Sequence, residues 1–281
     1  MSQRISRRHL ILNSSLAGAG VWLSNAAAAR ASPSPNEKLN VALVGVGGRG
    51  TANVAAVSGE NIVALCDVDE RRASASFDRY PGVRKFHDFR KLLDDMDRQI
   101  DAVVVSTPNH THAPASAMAM RMGKHCYCEK PLSQSVHEAR TVARIAAENK
   151  VATQMGTQIH ASDNYRRIVE LIRSGAIGAV HAVHIRLAGG GTAGDRPRDT
   201  PPVPAELKWD LWLGPAPSRP YHPCYVPHDW HYWWDFGGGA LGNMGCHYLD
   251  LAFWALDLRH PATVEAKGPA VHPESTPRPL L

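Results

Sequence analysis

Short apolar runs alternate with amphipathic stretches along the first half of this chain. Residues 39–44, 61–66, 83–86, 101–106, 125–128 and 151–155 are apolar-rich and bounded by Gly, Pro, Asp or Asn, which predicts six strands. Residues 51–58, 70–80, 87–96, 111–122 and 133–149 predict the helices between them, the last opened by a capping box of Ser135 and Glu138. Strands separated by helices specify a doubly wound parallel sheet, because parallel neighbours need a crossover. Beyond residue 158 the pattern changes. Residues 163–174 predict a helix with Ile168, Leu171 and Ile172 on one side, and 178–187 alternates as a sheet strand. Residues 189–204 are Gly/Pro-rich and predict a long loop.

The turn after the first strand brings in chemistry. Gly45, Gly47 and Gly50 form a G-x-G-x-x-G between a strand and a helix, and Asp67 closes the second strand 22 residues after Gly45. This context matches a dinucleotide fingerprint: a tight turn, close backbone approach to a pyrophosphate, and a helix N-terminus offering free N–H groups. Asp67 would accept hydrogen bonds from ribose hydroxyls and repel a 2′-phosphate, favouring NAD; Arg71 and Arg72 nearby keep NADP open. Ligands of such sheets bind at the carboxyl ends of the strands. Thr107-Pro108-Asn109, Glu129-Lys130-Pro131 and Gly156-Thr157-Gln158 all fall there.

Composition is that of a globular protein, 44% hydrophobic and 20% charged over 281 residues. The net charge of +5 does not call for nucleic acid: residues 1–31 hold Arg4, Arg7, Arg8 and Arg30 and no acid, and setting these aside leaves +1. Arg7 and Arg8, the mild apolar run 10–23, and Ala29-Arg30-Ala31 or Ala26-Ala27-Ala28 resemble a twin-arginine export signal with its cleavage site. The expected location is therefore periplasmic or extracytoplasmic, where an enzyme must retain its cofactor. No run is long and apolar enough to predict a membrane span. Cys66, Cys126, Cys128, Cys224 and Cys246 form no disulfide framework, and Cys126 and Cys128 read as small core residues. His222, His228 and His231, spaced six and three apart, lack a compact zinc pattern, so no metal is expected. Residues 209–236 are dense in Trp and Tyr, which either stack on sugar rings or form a core; Trp233 and Asp235 are the substrate candidates there.

Gly45–Gly50, Thr107–His112, Glu129-Lys130-Pro131 and Gly245–Asp250, in this order, resemble the glucose–fructose oxidoreductase / inositol dehydrogenase (Gfo/Idh/MocA) family over about residues 39–261. Trp212–Pro215 and Trp233–Gly239 look like its large secreted branch. The resemblance implies an α/β chain: an N-terminal Rossmann domain, here 36–157 after a 1–35 signal and linker, then a partial α+β domain, 158–281, with an open, mainly antiparallel sheet. It implies cofactor contacts from Gly45, Gly47, Gly48, Arg49, Gly50, Asp67, Thr107, Pro108, Asn109, His112, Glu129, Lys130 and Gln158. Lys130 would stabilise charge on the reacting oxygen, with a cis Lys130–Pro131 bond, and His247 would be the acid–base, with Asp250 available to orient it. Lys130, Asn243 and His247 would meet substrate. Many relatives carry Asp where this chain has Asn243, which leaves the proton to His247 alone.

The expected function is hydride transfer between NAD(P) and a carbon of a sugar, polyol or sugar derivative. Two alternatives stand beside it: a NAD-dependent glycosidase or lyase working by transient oxidation, and a non-catalytic nucleotide- or sugar-binding protein. The proline-rich stretch 260–281 ends the chain where family members usually continue, so a truncated second sheet is expected. A homo-oligomer is expected if that domain is complete.

Overall fold

A computed structural model describes residues 38–187 and 196–267. The export signal, residues 189–195 of the expected loop and most of the proline-rich end lie outside the described residues. The first half is a single parallel sheet of six strands: β1 Asn40–Val44, β2 Asn61–Cys66, β3 Arg84–Phe86, β4 Ala102–Val105, β5 His125–Glu129 and β6 Thr153–Gly156. Their spatial order is β3-β2-β1-β4-β5-β6, all pairs parallel. The order reverses between β1 and β4, and a crevice opens there at the carboxyl ends.

Both faces are covered, which is why the central strands are apolar without interruption. Helices α1 (Arg49–Ala56) and α2 (Glu70–Arg79) bury Val54, Ala73 and Phe77 against Val41, Leu43 and Leu65. On the other face α3 (Phe89–Met96), α4 (Asn109–Arg121) and α5 (Val136–Asn149) cover Ala42, Val44, Val103 and Val105. Cys126 and Cys128 are free and buried on this second face. The capping box forms as read, with the Ser135 side chain accepting from the Glu138 N–H and the Glu138 carboxylate accepting from the Ser135 N–H.

The second half differs from expectation at one segment. Residues 178–187 alternate but form no strand, and among the described residues the mainly antiparallel sheet is not seen. Alternation supplies the faces of a strand; its ladder needs a second backbone, and none of the described residues provides one. Instead Val180, Ala182, Val183 and Ile185 flank an apolar hollow of about 470 Å³ with Tyr165, Ile172, Leu251 and Ala252. These belong to α6 (Asp163–Arg173) and the long α8 (Gly239–Ala255). No helix among the described residues is long and apolar enough to cross a membrane.

Between α6 and α8 in sequence lies an aromatic core. Trp209 and Trp212 of α7 (Trp209–Leu213) stack at 4.8 Å, and Phe236 meets Trp212 edge-on at 4.7 Å. This core is fastened to the first half in two places. Lys208 N–H donates to Val68 O and Glu70 N–H to Glu206 O, and the His110 ring of α4 lies between Trp212 and Phe236 at 5.1 and 5.2 Å. Trp233 is fully buried in the core, its indole N–H donating to Cys224 O at 3.1 Å. Truncating so large a core side chain typically costs about 3–5 kcal/mol. The Trp233→Ala variant is expected to lose about that much in denaturant unfolding, and an unchanged midpoint would contradict the core placement.

Candidate active site

The crevice at the strand reversal deepens into a cleft of about 410 Å³ whose other wall comes from the second half. Its floor begins where β1 turns. Gly45 sits at φ +81° and packs on the Ser106 carbonyl; a Cβ there would lie 2.7 Å from that group. Gly50 packs against the Gly45 carbonyl with no room for a side chain. The N-terminus of α1 that follows has no side-chain cap; the Gly50 and Thr51 N–H groups donate to Gly47 O and Gly48 O at 2.9 and 3.2 Å, and the positive end of the helix dipole at this turn favours an anion. Asp67, at the end of β2, accepts from the Val46 and Gly47 N–H groups at 2.9 Å each and from Asp69 N–H at 3.0 Å. Burial raises its pKa against the pull of these three donors.

Glu129, at the end of β5, is buried and accepts from Arg49 Nε at 2.9 Å and Asn53 Nδ2 at 3.0 Å. Asn53 also donates to Ser106 Oγ at 2.7 Å. One carboxylate therefore ties the glycine loop, the β4 end and the turn bearing Lys130. The Lys130–Pro131 bond is cis, as the resemblance implied. Lys130 Nζ donates to Asn243 O at 2.9 Å and Asn243 Oδ1 at 2.5 Å, joining this turn to α8. Burial holds its pKa below the ordinary lysine value, with smaller opposing pulls from Cys246 and Glu129. His112 is buried with its Nδ1 and Nε2 facing Pro131 O and Thr107 O, each at 2.6 Å.

His247 projects from α8 into the same cleft, buried, and its Nδ1 has no hydrogen-bond partner among the described residues. Burial first, then the charge of Lys130, depresses its pKa, so the ring is neutral near pH 7. Asp250 does not orient it: its Oδ2 pairs with His160 Nδ1 at 2.8 Å, and His160 stacks on Trp254 at 4.1 Å. Helical spacing alone placed Asp250 near His247; the ring of His160 reaches it first. Tyr165 on α6 holds α8 by donating to His247 O at 3.2 Å.

Of the residues expected to act, Gly45, Gly47, Arg49, Asp67, Thr107, Pro108, Asn109, His112, Glu129, Lys130, Gln158, Asn243 and His247 all line this one cleft. Gly48 and Gly50 shape the loop from behind without lining it. Trp233 and Asp235 are corrected. Trp233 is sealed in the aromatic core, and Asp235 is taken by two guanidinium groups, Arg196 at 2.8 Å and Arg219. Neither lines the cleft. The cleft instead presents Trp230 and the paired rings of His228 and His231, 4.7 Å apart, together with Arg72 and His87. His231 stacks on Trp230 at 3.6 Å, and its Nδ1 donates to His228 O at 2.7 Å, which leaves Nε2 as an acceptor. The sequence signal for these two histidines was their spacing, which resembles no ligand or catalytic motif and so left them unassigned.

The loop and helix end fit a dinucleotide. The glycines bring the loop to the cleft without side chains of their own, Arg72 packs over Gly47 and Gly48, and a carboxylate stands at the β2 end for ribose hydroxyls. Two histidines lie out of water, His110 buried against the aromatic core and His231 half-buried on the second wall of the cleft, and burial pushes both down to about 4. Their unfolded-state value is about 6.5, so below that pH the unfolded chain binds protons the folded chain refuses. Stability is then full above pH 6.5 and declines toward pH 4, by at most about 1.4 kcal/mol per pH unit for each histidine. Denaturant titrations between pH 7 and pH 5 are expected to show this decline, shallower in His110→Gln; a flat profile in the parent would refute it.

Two family models match, in chain order. Residues 39–157 match the NAD-binding Rossmann fold of an oxidoreductase family, and 161–278 match the C-terminal alpha/beta domain of that family. The inositol 2-dehydrogenase of Salmonella paratyphi B is 30% identical over 154 residues, 53% of this chain and 45% of its own. That of Rubrobacter xylanophilus is 34% identical over 149 residues, 51% of this chain and 42% of its own. The chain thus spans about half the length of the curated relatives it matches. Among solved structures, GenD2 from gentamicin A biosynthesis, in complex with NAD, superposes with a TM-score of 0.56 at 24% identity, covering 80% of this chain and 55% of GenD2. This likeness is one of fold. With both halves matched and the glycine loop, the Glu129-Lys130-Pro131 turn and His247 gathered on one cleft, the chain belongs to the Gfo/Idh/MocA family of NAD-binding oxidoreductases.

Proposed function

We propose that the chain is a NAD-dependent dehydrogenase acting on a secondary hydroxyl, or the matching ketone, of a sugar, polyol or sugar derivative. The observation that carries this reading is the convergence of Lys130, Asn243 and His247 in the cleft that the glycine loop opens. The inositol dehydrogenases to which the chain is similar support the carbohydrate class. The loop of Gly45–Gly50, the α1 N-terminus and Asp67 would hold NAD, with Thr107, Pro108, Asn109 and Gln158 lining the same cleft. When bound, NAD supplies the hydride acceptor or donor.

The protein's own task is to handle the proton and the oxygen. Lys130 has three N–H donors; two go to Asn243 and the third, which has no partner among the described residues, would meet the reacting oxygen and stabilise its developing negative charge. The neutral His247 ring takes the hydroxyl proton on oxidation and returns it on reduction. Glu129 keeps the Lys130 turn in register with the glycine loop. The second wall, with Trp230, Val226 and Pro227, shields the reacting centre from water.

NADH formation with a panel of polyols and sugars tests the reading. Lys130→Met is expected to lower kcat by about 10²–10³ while NAD affinity stays within about threefold. Unchanged turnover in that variant would sink the assignment. Export by the twin-arginine route is part of the same proposal, supported by Arg7, Arg8 and the mild apolar run after them. Envelope-fraction protein is expected to have the mass of a chain cut near Ala31 and to carry a bound dinucleotide; an uncut chain in the cytoplasm would refute export.

A further inference from the structure

The charge balance around Lys130 points to a narrower class of substrate. The ammonium is half-buried in the cleft, and no carboxylate among the described residues lies within ion-pair distance of it. Its chain neighbour Glu129 is already committed to Arg49 and Asn53. Asn243 satisfies two of the three N–H groups, but an amide brings hydrogen bonds and no charge. Arg49, whose charge also acts on Lys130, is paired with Glu129, burial pushes the Cys246 thiol further toward its neutral form, and His231, whose Nδ1–H is spent on His228 O, and His247 are both neutral near pH 7. The groups around Lys130 therefore carry one positive charge in excess and no free negative one. Cations removed from water are costly unless an opposite charge joins them.

We propose that the counter-charge arrives with the substrate: the cleft takes a sugar acid, an aldonate or uronate, and the Lys130–Asn243 pair is the element that recognises its carboxylate. The proposal rests on the dehydrogenase reading above and refines it. The carboxylate need not displace Asn243. A position on a carbon near the reacting one sets it within several ångström of Nζ, where the low dielectric of the cleft strengthens the attraction. Asn243 is the determinant because Asp, of the same size, would neutralise the ammonium from within.

Binding isotherms on the NAD-saturated full chain test this with matched pairs: glucuronate and glucose, galacturonate and galactose, gluconate and glucitol, and myo-inositol as a further neutral probe. At least one acid is expected to bind about tenfold or more tighter than its neutral partner, a difference of about 1.4 kcal/mol. In Asn243→Asp, whose fold is checked by its unfolding midpoint and NAD affinity, that gap is expected to shrink to about threefold or less, because the new carboxylate and the ligand compete for one charge. If a neutral compound binds as tightly as the acids or tighter, the sugar-acid class is overturned while the dehydrogenase reading stands. If Asn243→Asp keeps the full preference, the Lys130–Asn243 pair is overturned as the recognising element. If none of these compounds binds although NAD does, the proposal falls together with the carbohydrate reading on which it rests.

Discussion

A carboxylate buried in a protein interior must be met by donors, and Glu129 is met by two, Arg49 and Asn53, both from α1. Its partners Arg49 and Asn53 sit on the first turn and a half of α1, directly after the glycine loop, and Asn53 reaches on to Ser106 at the end of β4. Removing the charge would untie the Lys130 turn from α1 and leave the Arg49 guanidinium and one Asn53 bond without their acceptor. Because these groups are bound to one another, the place where a dinucleotide would lie and the place where an oxygen would react are built as one piece. The cleft's chemistry follows from this: Lys130 can only be as well placed as Glu129 beside it.

The opposite wall depends on a different kind of contact. There the aromatic core supplies rigidity through area and shape, and the His110 ring, packed between Trp212 and Phe236 with Nε2 facing Trp212 O at 2.9 Å, carries that rigidity across to α4. Helix α8 is set by polar braces, Tyr165 on the His247 carbonyl and His160 on Asp250. Each wall is thus stiffened from outside the cleft, which leaves the inward-facing groups of Lys130, His231 and His247 available.

How much of this was legible in the sequence follows from the range of the interaction involved. The central strands and the helices over them were readable because burial on two faces demands uninterrupted apolar runs, and the glycine loop because the Gly45 and Gly50 positions admit no side chain. The capping box was readable because it is local. Three features were not. The 178–187 segment carries a strand's alternation without a ladder partner among the described residues. Trp233 and Trp230 look alike in the chain, yet one is sealed in the core and the other faces the cleft, a distinction set by the packing of distant residues. Asp250 has helical spacing to His247 but an unforeseen competitor in His160. In each case the deciding partner lies far away in sequence, and no local pattern encodes it.

The His112 ring has a consequence of its own. Both nitrogens face carbonyl oxygens at 2.6 Å, yet a neutral imidazole owns a single N–H. Burial favours that neutral form, so at any instant the ring secures either Thr107 or Pro131 and turns a lone pair toward the other. The two rims of the cofactor cleft are therefore joined by a shared latch with one bolt: the tautomer the ring holds decides which rim is gripped, and changing the grip requires one nitrogen to take up a proton and the other to release one.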